Sequence, residues 1–133
     1  MKYLLDTNTC IRYLTRRAPN IVAKMPTVPP SDIAVCSIVK AELFFGSAKS
    51  NASEKTLAGQ REFMNQFHSF PFDDAAALQY AHIRAQLEKR GTPIGPNDLM
   101  IAAITMANNL ILVTHNIAEF SRVEGLKIED WEA

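Results

Sequence analysis

Nowhere in this chain do about 18 apolar residues run together, the length a helix needs to cross a bilayer. No basic segment followed by a short apolar one opens it either, so the reading is of a soluble, cytoplasmic protein without membrane contact. Cysteine is scarce. Cys10 and Cys36 are the only two; they lack metal-ligand spacing and sit among apolar neighbours, which predicts reduced core residues, as in a cytosolic protein. Net charge is missing as well, because 14 Lys and Arg balance 14 Asp and Glu. That balance argues against a passive coat for polyanions but leaves room for a basic rim beside an acidic pocket. There is no GxxxxGK[ST] or GxGxxG loop and no paired Ser/His/Asp set, so nucleotide-cradling and acyl-transfer chemistries lose ground. No internal repeat or low-complexity tract is visible.

What remains is an ordinary globular composition, 47% hydrophobic over 133 residues. That suffices for one domain, 1–133, able to bury a core without disulfides or a structural metal. Tyr3-Leu4-Leu5 is a short apolar run of the kind found in strands buried on both faces. It stops at Asp6, and Thr7-Asn8 can cap a helix over Thr9 to Leu14. In an open parallel sheet, ligands bind outside the carboxyl ends of the strands. An Asp there often does no more than cap the next helix; what singles out Asp6 is how many other acidic groups reach equivalent places.

A short helix from Ile21 to Met25 and a proline-rich connection over Thr27 to Asp32 lead to a second strand, Ile33 to Ile38. The helix that follows, Val39 to Gly46, carries Glu42 about one turn in, with Lys40 on another face and Gly46 as a stop. After a small polar loop, Asn51 and Glu54 resemble a capping arrangement for a peripheral helix over Ala52 to Gln66. Its few apolar residues, Leu57, Phe63 and Met64 with Phe67 beyond, either pack inward or mark a partner face. Ser69 to Phe72 is extended, and Pro71 makes it an edge or connector. Asp73-Asp74 caps a long helix, Ala75 to Arg90, ended by Gly91. Gly91 to Asp98 then approaches a helix capped by Asn97, with Asp98 in its first turn, where the helix dipole favours a carboxylate. Leu99, Ala102, Ala103 and Met106 form its buried stripe. Leu110 to Thr114 is the clearest buried strand, ending at His115-Asn116. A one-turn helix over Ile117 to Phe120 and a short strand over Leu126 to Trp131 complete the chain.

Asp6, Glu42 and Asp98 thus fall at strand ends or early helical turns along one edge of one sheet, and Asn116 adds a neutral oxygen. Converging carboxylates repel one another by several kcal/mol in order of magnitude unless a cation compensates. Oxygen donors without a His/Cys set select Mg²⁺ or Mn²⁺, and such an ion suits hydrolysis of a phosphodiester. Arg12, Arg16 and Arg17, with Lys40, read equally as a phosphate-steering rim or as a solvated basic face. An aspartyl-phosphate mechanism would need an acid two residues after Asp6, where Asn8 cannot serve.

The segments Leu4-Leu5-Asp6-Thr7-Asn8, Ala41-Glu42-Leu43, Ile94 to Ala103 and Leu112 to Phe120, together with the tail Arg122 to Leu126 and Glu129-Asp130-Trp131, resemble the PIN-domain ribonucleases. More narrowly they resemble the VapC-type toxins of type II toxin–antitoxin pairs. The resemblance runs end to end with the motifs in order. It implies a PIN-like α/β fold of three layers, α/β/α, with a central parallel sheet, and Mg²⁺- or Mn²⁺-dependent endoribonuclease activity on tRNA or ribosomal RNA loops. Asp6, Glu42 and Asp98 would be the catalytic, metal-binding acids, and Asn116 would occupy the fourth metal position. Thr114 would support them as a hydroxyl from behind, with Asn8 and Asn97 as further supporting groups. A cognate antitoxin protein and a homodimer are implied as well. The competing expectation, motivated by Asn116 and the neutral charge, is a catalytically weak PIN-like module that only binds RNA or protein.

Overall fold

β1 (Tyr3–Leu5) is the middle strand of a five-stranded, wholly parallel sheet with the order β3-β2-β1-β4-β5. The computed structural model describes residues 1–133 in full. The remaining strands are β2 (Ile33–Cys36), β3 (His68–Phe70), β4 (Ile111–Val113) and β5 (Lys127–Glu129). Leu4 pairs with Ala34 on one side and Leu112 on the other, and all three are fully buried. A strand covered on both faces needs an unbroken apolar run, and that is what these segments supply.

Seven α-helices cover the sheet: α1 (Thr7–Leu14), α2 (Pro19–Lys24), α3 (Ser37–Ala48), α4 (Ser53–Met64), α5 (Asp74–Lys89), α6 (Pro96–Ala107) and α7 (Ile117–Phe120). The connections β1→β2→β3 step outward one way, whereas β3→β4 returns past β1. Right-handed crossovers of opposite travel put their helices on opposite faces, giving the three α/β/α layers. Packed between them is one hydrophobic core of 31 buried residues. α4 is not left open toward a partner along its apolar residues. Phe63 and Met64 are buried, and the Phe63 ring meets Tyr13 and Phe67, each at 5.1 Å. Cys10 and Cys36 are buried free thiols whose pKa values burial pushes up.

Several element ends differ from the sequence reading. α1 begins at Thr7 because Asp6, not Thr7 or Asn8, is its cap: the Thr9 N–H donates to Asp6 Oδ1 at 2.8 Å. Gly46 does not stop α3, which continues to Ala48. No side-chain cap forms at α4, where Ala52 holds the cap position and Asn51 makes no capping bond. Asn97 does not cap α6 either. Pro96 takes the first helical position, where its missing N–H is harmless, and Gly95 precedes it.

Three helices end alike. After α1, α5 and α6 the chain turns through a left-handed residue: Arg16 at φ 55°, Gly91 at φ 70° and Asn109 at φ 53°. In each the N–H of that residue and the N–H of the next reach back to the last-turn carbonyls, as Arg17 N does to Arg12 O at 3.0 Å and Thr92 N to Leu87 O at 3.0 Å. Glycine and asparagine take this conformation readily, whereas an arginine pays a Cβ penalty. Arg16→Gly is therefore expected to stabilise the protein by about 0.5–1 kcal/mol in urea unfolding; a lowered midpoint would show that the Arg16 side chain makes up the difference.

Candidate active site

β1 is flanked by β2 and β4, and the chain leaves it toward one neighbour and later returns beside it on the other. Such a reversal opens a crevice at the carboxyl ends of the strands, because the two connections part there. Asp6 follows β1 directly, and its N–H donates to Val113 O of β4 at 3.1 Å. Thr114, His115 and Asn116 follow β4. The crevice is therefore lined from both sides.

Asp6 is 5% exposed. Burial pushes its pKa up, hydrogen bonds from the Thr114 hydroxyl and from Thr9 pull it back down, and Glu42 repels it. Thr114 is fully buried and accepts the Asn116 N–H at 3.0 Å, which braces the turn after β4 beside Asp6. Glu42 arrives on α3, as the sixth residue of that helix. The Thr7 hydroxyl donates to Glu42 Oε1 at 2.6 Å, and Asn97 Nδ2 to Oε2 at 3.4 Å. These contacts from α1 and α6 orient Glu42, and they use Asn97 as a carboxylate partner rather than as a cap. Asn8 is exposed and lines a cleft that also contains Glu42.

Asp98 stands third in α6 and is half-buried. Its pKa is pushed up to about 6, first by burial, then by repulsion from Glu119, Glu42 and Asp6, with a hydrogen bond to Glu119 added. Glu119 was not singled out from the sequence. It sits on α7, where Oε1 accepts the Gly95 N–H at 2.8 Å and Oε2 accepts Asn116 Nδ2 at 2.9 Å. The Gly95 N–H and the Asn116 amide lower its pKa, against its own burial. The two acids move in opposite directions for different reasons: burial raises Asp98, and the donors from Gly95 and Asn116 lower Glu119. The available signal was the i,i+3 spacing from Asn116 to Glu119, which puts both on one side of a single turn.

Asn116 donates its amide N–H to Glu119 and so orients that carboxylate, which leaves its own Oδ1 free at the crevice. One sequence expectation needs correction: the basic rim is dispersed. α1 starts at the crevice and runs away from it, so Arg16 and Arg17 lie beyond its far end, about 12 Å along the axis at 1.5 Å per residue. Arg12 pairs with Glu132 at 3.2 Å, and Lys40 lines a separate groove of about 650 Å³ with Phe44, Leu57 and Arg61. His115 faces outward, 58% exposed, with Nδ1 2.9 Å from Asp130, which raises its pKa.

The crevice thus gathers four carboxylates, Asp6, Glu42, Asp98 and Glu119, from four elements or their ends, and offers neither thiolate nor imidazole. Hard oxygen donors of this kind suit Mg²⁺ or Mn²⁺. As arranged, no three acidic, His or Cys side chains stand close enough to share one ion directly. An ion taken up here would keep several waters, which is the habit of Mg²⁺.

The model of the PIN domain family matches residues 3–126. Among characterised proteins, the tRNA(fMet)-specific endonuclease VapC of Salmonella typhimurium is 38% identical over 131 residues, 98% of each chain. Ribonuclease VapC2 of Haemophilus influenzae is 36% identical over the same length, again 98% of each. The crystal structure of DNA-bound VapBC from Salmonella typhimurium contains a chain that superposes with a TM-score of 0.92 at 38% identity, covering 98% of both. No helix here is long and apolar enough to cross a membrane. The chain belongs to the PIN-domain family, among its VapC ribonucleases.

Proposed function

We propose that this protein is a divalent-metal-dependent endoribonuclease, the toxin of a toxin–antitoxin pair, that hydrolyses phosphodiester bonds in RNA. One observation carries the reading: carboxylates from four separate elements or their ends converge at the switch-point crevice, near enough that Glu119, Glu42 and Asp6 each push the Asp98 pKa up. A fold gains nothing in stability from acids that repel each other there, whereas a divalent cation would relieve the repulsion. When bound, Mg²⁺ or Mn²⁺ supplies charge neutralisation at the phosphate and lowers the pKa of water for attack on phosphorus.

The residues of the chain prepare the site for that ion. Asp6, buried and held by the Thr9 N–H, presents a carboxylate in a fixed place. Thr7 and Asn97 aim Glu42, and Gly95 and Asn116 aim Glu119. Asp98, pushed up to about 6 and so ionised at neutral pH, adds a crowded negative charge that a cation would compensate. Such preorganisation matters because placing charge before the reaction avoids reorganising it during the reaction.

The relatives named for tRNA(fMet) make that RNA the first substrate to try. The antitoxin partner is supported by structural neighbours that are VapBC complexes, and a homodimer is part of the same proposal. Cleavage is expected to stop in EDTA, return with Mn²⁺, and leave 5′-phosphate and 3′-hydroxyl ends, since no base stands ready to activate a ribose 2′-hydroxyl. Cleavage that persists in EDTA, or 2′,3′-cyclic phosphate ends, would refute the mechanism. The spacing of the acids favours one rival, a binding-only module; that rival predicts neither saturable Mn²⁺ binding nor turnover.

A further inference from the structure

α3 carries an exposed aromatic ring beside the acidic crevice. Phe45 is 66% exposed, and it is the one aromatic among the large hydrophobic residues left open on this surface. It follows Glu42 by three positions, so both project from the same side of the helix. Ring and carboxylate line one cleft of about 610 Å³, in the size range of small-ligand sites, with Thr7, Asn8, Asn97 and Lys49 among the other walls. Lys49 is the only cation lining that cleft, and its Nζ lies 4.7 Å from the centre of the Phe45 ring. Gly46 leaves the space beside the ring open, since a Cβ there would meet nothing within 4 Å.

We infer that Phe45 is a stacking platform for an unpaired nucleobase next to the bond that is cut, and that Lys49 meets the phosphate of that nucleotide. The inference rests on the endoribonuclease reading and deepens it. Single-stranded RNA is held by splayed bases stacked on aromatic faces, an interaction tolerant of base identity. A lysine on a flexible four-carbon stem can leave the ring for a phosphate when RNA arrives. This chemistry also answers a difficulty of the site, because four carboxylates repel a polyanion, Arg12 is paired with Glu132, and Arg16 and Arg17 lie beyond the far end of α1. The polar amides of Asn8 and Asn97 on the rim, the lone cation and the shared wall at Glu42 favour a nucleotide over an apolar protein segment as the occupant.

The test uses the full chain free of any partner, with tRNA(fMet) as substrate and Mn²⁺ present. Phe45→Leu is expected to raise KM about tenfold to a hundredfold, the usual loss for one stacked base, with kcat nearly unchanged. Phe45→Trp should restore KM, which a merely structural role would not require of the larger ring. Lys49→Gln should flatten the dependence of binding on salt by about one phosphate contact. An unchanged KM in Phe45→Leu, or failure of Phe45→Trp to restore it, overturns the inference while leaving the nuclease reading intact. A Phe45→Leu protein that cuts RNA normally but loses affinity for its purified antitoxin would assign the face to a protein and overturn it too. A parent protein that cuts no RNA strikes the nuclease reading itself, and this inference falls with it.

Discussion

Replacing Asp6 by Asn is expected to lower RNA cleavage by at least about a hundredfold while leaving the fold as stable as before or slightly more so. The loss is set by analogy with metal sites, where altering only a supporting partner costs about 10–100-fold, so removing a charged donor should cost no less. The retained stability follows from local geometry. Asn keeps an Oδ1 that can accept the Thr9 N–H, so the cap of α1 survives. It also removes a buried carboxylate whose charged form burial disfavours. Asp6→Ala separates the two roles: it should lose the same activity and in addition about 1 kcal/mol of stability, because the cap goes with it. Equal melting temperatures for the Asn and Ala variants would show that Asp6 caps nothing of consequence; cleavage retained in both would remove it from the site.

The second large effect is one of stability without metal. Burial, with the repulsion of the neighbouring acids, pushes Asp98 up from the ordinary 3.8 to about 6 in the folded chain. A carboxyl whose folded pKa is raised favours the fold where it holds its proton. That contribution is complete below about pH 4 and is lost as the pH rises through about 6. The shift corresponds to about 3 kcal/mol at 1.36 kcal/mol per unit. Because Asp98 is only half-buried, solvent screening reduces this to about 1–2 kcal/mol. In EDTA at pH 7.5 or so, Asp98→Asn is therefore expected to melt about 3–8 °C higher than the parent. The difference should vanish near pH 4, where both carry no charge at this position. Saturating Mn²⁺ should reverse the order, since an ion that binds only the folded parent stabilises it by mass action. A variant that melts no higher at neutral pH would mean that the acids do not crowd one another.

How far the sequence alone led depends on whether the cause of each feature was local. The β1 and β4 runs were readable because a strand buried on both faces must be apolar throughout. Asp6, Glu42 and Asp98 were readable because a strand end or an early helical turn is a place, and a parallel sheet brings such places to one edge. Glu119 was not readable in the same way. Its position in the site depends on the N–H of Gly95, 24 residues earlier in the chain, meeting its carboxylate across the crevice. Arg16 and Arg17 were close to Asp6 in sequence but not in space, since α1 starts at the crevice and leads away, and Arg12 is taken up by Glu132. Asn97 had the chemistry of a cap, yet Pro96 had already set the start of α6 and freed the amide for Glu42. The thin edge strand β3, three residues long and partly exposed, was too short for its alternation to separate strand from connector.

The central claim is that carboxylates from separate elements act together on one divalent ion. Calorimetric titration of the purified chain with Mn²⁺ at neutral pH tests it most directly, with Asp98→Asn and Glu119→Gln measured beside the parent. The account predicts saturable binding by the parent and clear weakening in both variants. Heats no larger than dilution, or an affinity that neither substitution alters, would contradict it.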